Sequence, residues 1–333
     1  MKLFAVAIAL LSVAACTTGA STAGRTNRDT ITQNSAFSPR DVHGDPATLL
    51  PVQPNAWTMV ECAQARTSPH WPRITAAIAT SPNRAQLDQI IASLGFDPLA
   101  QSTRMAVASY GDVSTQESSG SAVLVAQGGF DRARVLASMA EHGGVLRDER
   151  IGAFTVQSNS QSAVIFAAQD VVLLFDPGLA VRVVRQLSGE EPSDVTRDPQ
   201  FAALWSQPGM TAPSVARFAA NASSVRRRIS ELSPQASRLE RAVGLVRGLE
   251  SLEIRVLGAA DSAAGAAAIA TELEATRRDY AGRFLLRLLG FGRLLQQGIT
   301  VVSEEHLVRL TANATSSEVQ SIFGAAQAGQ LMR

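Results

Sequence analysis

Short apolar runs separated by polar, glycine-bearing stretches dominate the chain from about residue 55 onward. Residues 57–62, 105–110, 121–126 and 154–157 are rich in β-branched and apolar side chains over strand-like lengths, and predict strands. Ala163–Ala168 and Val171–Phe175 flank a Gln169-Asp170 turn and predict a hairpin. Val171-Val172-Leu173-Leu174-Phe175 has no polar face, which suits a strand covered on both sides. Helical signals lie between these runs. Ser68-Pro69 and Ser81-Pro82 precede two helices, the second over Arg84–Leu94 and stopped by Gly95. Asp131 opens another, with Val135, Leu136 and Met139 on one face and Gly143-Gly144 at its end. Asp176-Pro177 starts a helix running to Leu187, and a short one covers 200–205.

The second half repeats this order of elements. Residues 214–219 take the place of 58–63, 252–257 that of 121–126, and Asp261 that of Asp131. A hairpin of 299–302 and 307–311 matches that of 163–175, and a last helix is capped near Ser316 or Ser317. A helix pair is expected after residue 219, carrying Arg226-Arg227-Arg228 and then Arg238, Arg241 and Arg247, and a helical insertion is expected over 263–289. The expected fold class is therefore α+β, with two similar halves, 55–210 and 211–333, each a mainly antiparallel sheet packed with helices. Chance recurrence of strand-helix-hairpin order is the competing explanation.

Upstream, the pattern changes character. Lys2 precedes an apolar run from Leu3 to Leu11, and small residues follow up to Cys16. Residues 1–15 read as a signal peptide. As a helix, Leu3 to Cys16 would rise about 21 Å, against roughly 30 Å of bilayer hydrocarbon. Residues 16–54, rich in Thr, Ser, Ala, Asn, Gly and Pro, read as a tether. Val13-Ala14-Ala15-Cys16 resembles the lipobox of bacterial lipoproteins. The resemblance implies cleavage before Cys16, diacylglyceryl attachment to its thiol and acylation, with palmitate-like chains, of the new amine. The membrane is then a partner through the N-terminal lipid. Thr17 after the cysteine implies the outer membrane, facing the periplasm. Over 49–326, with Leu49-Leu50-Pro51 ahead of a strand, the body resembles uncharacterised duplicated α+β lipoproteins of high-GC Gram-negative bacteria. That likeness implies no activity and no cofactor.

Composition narrows the chemistry. Lys2 is the sole lysine, so cleavage leaves 29 Arg against 29 Asp plus Glu, and the body has neither a Schiff-base nor a phosphate-loop lysine. The balanced charge gives nucleic acid nothing to bind. Lipidation of Cys16 leaves Cys62 without a disulfide partner in the chain; its apolar flanks predict a buried thiol. His43, His70, His142 and His306 are not spaced as metal pairs, and His142 suits a helix C-terminus. Glu304-Glu305-His306 is expected at a solvated hairpin tip, and Glu190-Glu191 and Asp148-Glu149 in polar turns. The arginines of 226–247 read as a salt-bridged surface, with an anionic partner site as the alternative. Arg283 and Arg287, four apart among leucines, read as the wet edge of a core helix, with a lipid surface as the alternative. No catalytic, cofactor-binding or metal residue is assigned; Cys16 is assigned as the lipidation site. The expected role is a lipid-anchored, periplasm-facing envelope protein acting by binding or structural association, with an envelope protein as partner. A hydrolase-like enzyme with site residues distant in sequence, and a carrier of lipid or hydrophobic ligand, stay open.

Overall fold

The computed structural model describes residues 38–79, 84–111, 121–221, 234–283, 286–287 and 290–327. These fall into two compact units that do not follow the chain in one pass: the described residues of 64–84 and 200–327 form one, and those of 38–63 and 85–199 form the other.

The first unit contains strands β1 (Ala56–Val60), β2 (Ser102–Tyr110), β3 (Ser121–Gly128), β4 (Arg147–Ile151), β5 (Phe154–Ser158), β6 (Ala163–Ala168) and β7 (Val171–Phe175). They lie antiparallel in the order β1-β2-β3-β7-β6-β5-β4. All five residues of β7 are buried between β3 and β6, as their unbroken apolar run predicts. On one face, Val172, Leu174, Val164 and Ala126 pack with Phe96, Val135 and Met139. The last two come from helix Arg132–Gly143, whose cap Asp131 accepts from the Arg134 N–H at 3.2 Å. Helix Arg84–Leu94 supplies Leu94 to the same core.

Two expectations need correction here. The tether expected over 16–54 ends sooner, because 38–54 is packed into this unit. A helical turn at Pro46–Leu49 lies on β2 and β3, with Ala47, Leu49 and Leu50 wholly buried. Polar locks hold the segment: Tyr110 Oη donates to Pro51 O at 2.7 Å, and Gln186 Nε2 to Thr48 O at 2.8 Å. Three small or apolar side chains in a polar stretch were enough to fold it. Asp148-Glu149, expected in a turn, lies in the outer strand β4. Its Arg-Asp-Glu-Arg sequence lacks apolar alternation because the strand is exposed, and charge on an outer strand discourages pairing with other chains.

The second unit contains β8 (Ala216–Asn221), β9 (Leu239–Arg247), β10 (Leu252–Ala260), β11 (Ile299–Glu304) and β12 (Leu307–Ala314), antiparallel in the order β8-β9-β10-β12-β11. One sheet face is apolar. Val308 and Ala260 meet Ala266, Ile269 and Ala270 of helix Ala263–Gly282, while Ala312 and Ala314 meet Leu286, Phe291, Leu294, Val319 and Ile322. The opposite face combines wholly buried Val243, Leu245 and Leu257 with arginines that tie down neighbouring chain. Arg241, Arg255 and Arg309 donate to the main-chain carbonyls of Gln200, Gly209 and Pro208 at 3.2, 3.3 and 3.2 Å. Helix Trp71–Ala79 packs on helix Ser316–Gln327, and Arg73 Nη1 donates to Gln320 O at 3.4 Å.

The helix expected to carry Arg238, Arg241 and Arg247 is strand β9. Its interior Gly244 permits close stacking on β8, since a Cβ there would stand 2.3 Å from Phe218 Cζ. Gly248, with φ +82°, then reverses the chain into β10. The insertion expected over 263–289 is interrupted: its long helix ends at Gly282, where Arg283 turns extended at φ −74°, ψ 118°, and Leu286 and Arg287 are again helical. Arg283 pairs with exposed Asp279 at 2.6 Å, while Leu286 is buried, which is the wet-edge, core-facing arrangement.

Candidate functional site

The site lies at one end of the second unit's sheet. The strand register sets Arg247 of β9 opposite Glu253 of β10, and Glu253 opposite Asn313 of β12, so the three make one row across three strands. Facing residues in such a row lie within about 5 Å of one another. Arg247 Nη1 donates to Glu253 Oε2 at 3.0 Å, and Arg255 Nε donates to Glu253 Oε1 at 2.6 Å. Both carboxylate oxygens of Glu253 are thus bridged.

A second wall forms where β12 runs into helix Ser316–Gln327. Thr315 begins that helix with a capping box: its N–H and hydroxyl both donate to Glu318 Oε2 at 2.8 Å, while the Glu318 N–H points back to Thr315 Oγ1 at 3.4 Å. The cap is therefore Thr315, one residue before the expected Ser316. Glu318 is 4% exposed and grips Arg293 two-pronged, with Nε–Oε1 at 3.0 Å and a second bond from Nη2 to Oε2. Arg293 Nη2 also donates to Asn313 O at 3.1 Å. Burial raises the Glu318 carboxyl, but the bonds from Arg293 and Thr315 outweigh it and hold the group below the usual carboxylate range.

The turn between β9 and β10 closes the third side. Ser68 Oγ donates to Leu249 O at 2.5 Å, and His70 Nε2 lies 2.6 Å from Glu250 O. Between these walls is an open cavity of about 470 Å³, bordered by Arg247, Ser251, Glu253, Arg293, Asn313 and Thr315. Its lining is rich in donors. Arg293 leaves Nη1 facing no protein acceptor, and Arg247 leaves Nε and Nη2 likewise, among the described residues.

Of the residues singled out in the sequence, Arg247 reaches this cavity and His70 supports its turn. Arg238 instead pairs with Asp261 at 3.2 Å and bonds Ser262 at 3.0 Å, and Arg241 holds Gln200. Arg226, Arg227, Arg228 and the anchor Cys16 lie outside the described residues. Cys62 is buried, with Sγ 3.7 Å from Val60 O. Glu304 ends β11, and Glu305-His306 forms an exposed tip in which Glu305 takes φ +51°. His43 lies 3.6 Å from Asp170 at the surface, and His142 Nδ1 lies 2.9 Å from Ser138 O at its helix end. Glu190 and Glu191 meet Arg185 at 3.7 and 3.3 Å. Sequence reasoning missed Arg293, Asn313 and Glu318. The Thr315-x-x-Glu318 spacing was the available signal for the last of these.

Among the described residues, no group of three or more His, Cys, Asp or Glu side chains could hold a metal, and no helix is long and apolar enough to cross a membrane. The molecule is an α+β protein with an open cavity of mixed lining, bordered by two arginines, at a sheet end. No protein-family model matches the chain, and no curated protein matches it. Among solved structures it is similar to crystal form III of TP0453, with TM-score 0.47 and 10% identity over 86% of this chain and 100% of that one. Crystal form I gives 0.45 and 10%, covering 85% and 98%, and crystal form IV gives 0.45 and 11%, covering 84% and 95%.

Proposed function

We propose that the chain is a lipid-anchored envelope protein, held at the outer membrane through acylated Cys16 with its α+β body facing the periplasm, and that it acts by binding. The observation that carries the anchor is Val13-Ala14-Ala15-Cys16 behind a single positive charge and an apolar run. Several acyl chains on one residue satisfy the requirement for more than one lipid signal in stable anchoring. The binding role is supported by the cavity of the second unit, whose guanidinium groups are fixed by carboxylates and still present unbridged N–H groups. The lining is mixed, with Pro213, Leu252 and Ala314 beside the charged groups, which suits a partner that carries a polar group.

The anchor is tested in the full chain with Cys16→Ser. Wild type should incorporate labelled palmitate and sediment with outer-membrane fractions, and the variant should lose the label and leave the pellet. A variant that is still labelled and still sediments there overturns the reading.

A further inference from the structure

We infer that the cavity between the β9–β10 turn and the start of helix Ser316–Gln327 is an oxyanion site, taking a phosphate or phosphate-ester group. The inference rests on the reading of the chain as a binding protein but not on its anchor.

Hydrogen-bond supply around the cavity is one-sided. Glu253 has both oxygens occupied by Arg247 and Arg255, and Glu318 has both occupied by Arg293 and Thr315. The charged acceptors at the site are thus already engaged by protein donors, and the remaining side-chain acceptors on the rim are the neutral Asn313 amide oxygen and Ser251 hydroxyl. The charged donors are not all engaged: a guanidinium carries five N–H groups, and those of Arg247 and Arg293 are only partly used. The Ser251 hydroxyl and the Asn313 amide, both exposed on the rim, make no bond to protein among the described residues. A ligand that presents acceptors on several sides matches this set, and a tetrahedral oxyanion does so with the least bulk.

Charge agrees. Of the charged residues that border the cavity, two are guanidinium groups, Arg247 and Arg293, and one is a carboxylate, Glu253, with the Arg255 and Glu318 pair partners behind them and Glu250 in the adjoining turn. Helix Ser316–Gln327 opens at Thr315 on the rim and adds the positive end of its dipole.

The donors are also held in advance. Arg293 is gripped by a carboxylate 5% exposed and by Asn313 O, so its remaining edge is fixed before any ligand arrives. Arg247 is fixed by Glu253 within the strand row. A volume of about 470 Å³ exceeds a bare phosphate and leaves room for an attached sugar or glycerol.

The test is a titration of the full chain in non-ionic detergent with inorganic phosphate, followed by amide and arginine side-chain NMR shifts. Saturable shifts are expected at Gly248, Ser251, Asn313 and Thr315, and Arg247→Gln should weaken binding about tenfold while keeping a cooperative unfolding transition. Arg293→Lys, which keeps the charge but not the fork, should weaken it as well. Vesicles containing phosphatidylglycerol form the second arm. Phosphate-competed vesicle binding identifies a lipid headgroup as the source, and phosphate binding without vesicle binding identifies a soluble ester; both support the site. No saturable shift at these residues, or equal affinity in both variants, overturns it, while leaving the Cys16 anchor to be judged by fractionation.

Discussion

Strands β7 and β10 hold comparable places, each flanked by a strand on both sides, yet they are built to opposite rules. In β7, Val171, Val172, Leu173, Leu174 and Phe175 are all buried, and the strand belongs to the core on either face. In β10, Leu252 and Ile254 pack into the core while Glu253 and Arg255 alternate with them on the other face. The second arrangement replaces apolar burial with ion pairs on one side at the cavity end only, since Leu257 farther along that same face is wholly buried. A strand without a polar face has no side left for recognition; one that alternates over part of its length keeps a stretch of one face that can be specialised.

This contrast can be broken by substitution, starting where the effect should be greatest. Leu173→Ala in β7 removes a wholly buried side chain and should cost about 3 kcal/mol, measured by denaturant unfolding. A loss under about 1 kcal/mol would mean that the two-sided burial contributes no more than the charged face does.

Next comes the cavity wall. Glu318→Gln should cost about 2 kcal/mol at neutral pH, because a buried carboxylate bridging Arg293 and the helix cap becomes neutral. The sign follows from its depressed pKa: the stabilisation is complete above the ordinary carboxylate range and is lost as pH falls through the lower, folded-state value. The gap between wild type and variant should therefore close in acid. A constant gap from neutral to strongly acid conditions would show that shape, and not charge, sets the effect.

The smallest change is expected on β10 itself. Glu253→Gln loosens partly exposed pairs with Arg247 and Arg255 and should cost less than about 1 kcal/mol. It should at the same time strengthen phosphate binding, by removing a negative charge and releasing guanidinium donors. Weaker phosphate binding in this variant would show that holding Arg247 in place matters more than the charge that holds it.

How much of this was legible depends on whether a residue's role is local. The α+β class, β2, β3, both hairpins and the helix capped by Asp131 were readable, because apolar runs and caps report on their own neighbourhood. β9 was not: its arginines sit among apolar residues at spacings that also fit a helix, and Gly244 was decided by Phe218, some 26 positions away. The Pro46–Leu49 turn was masked by polar surroundings, and β4 by the charges that suit an outer strand. The cavity was the least legible part. Arg293, Glu318, Asn313 and Arg247 converge through strand register and one helix cap, and no spacing in the sequence encodes that meeting.

The place of residues 64–84 bears on the order of events as the chain is made. Helix Trp71–Ala79 emerges early, between β1 and the helix that joins the first unit, but its packing partner is helix Ser316–Gln327, and Arg73 finds Gln320 247 residues later. Contacts so distant form slowly, since the intervening loop must close first. The second unit is finished only when its last helix is delivered, so truncation near the C-terminus should be felt at residue 71.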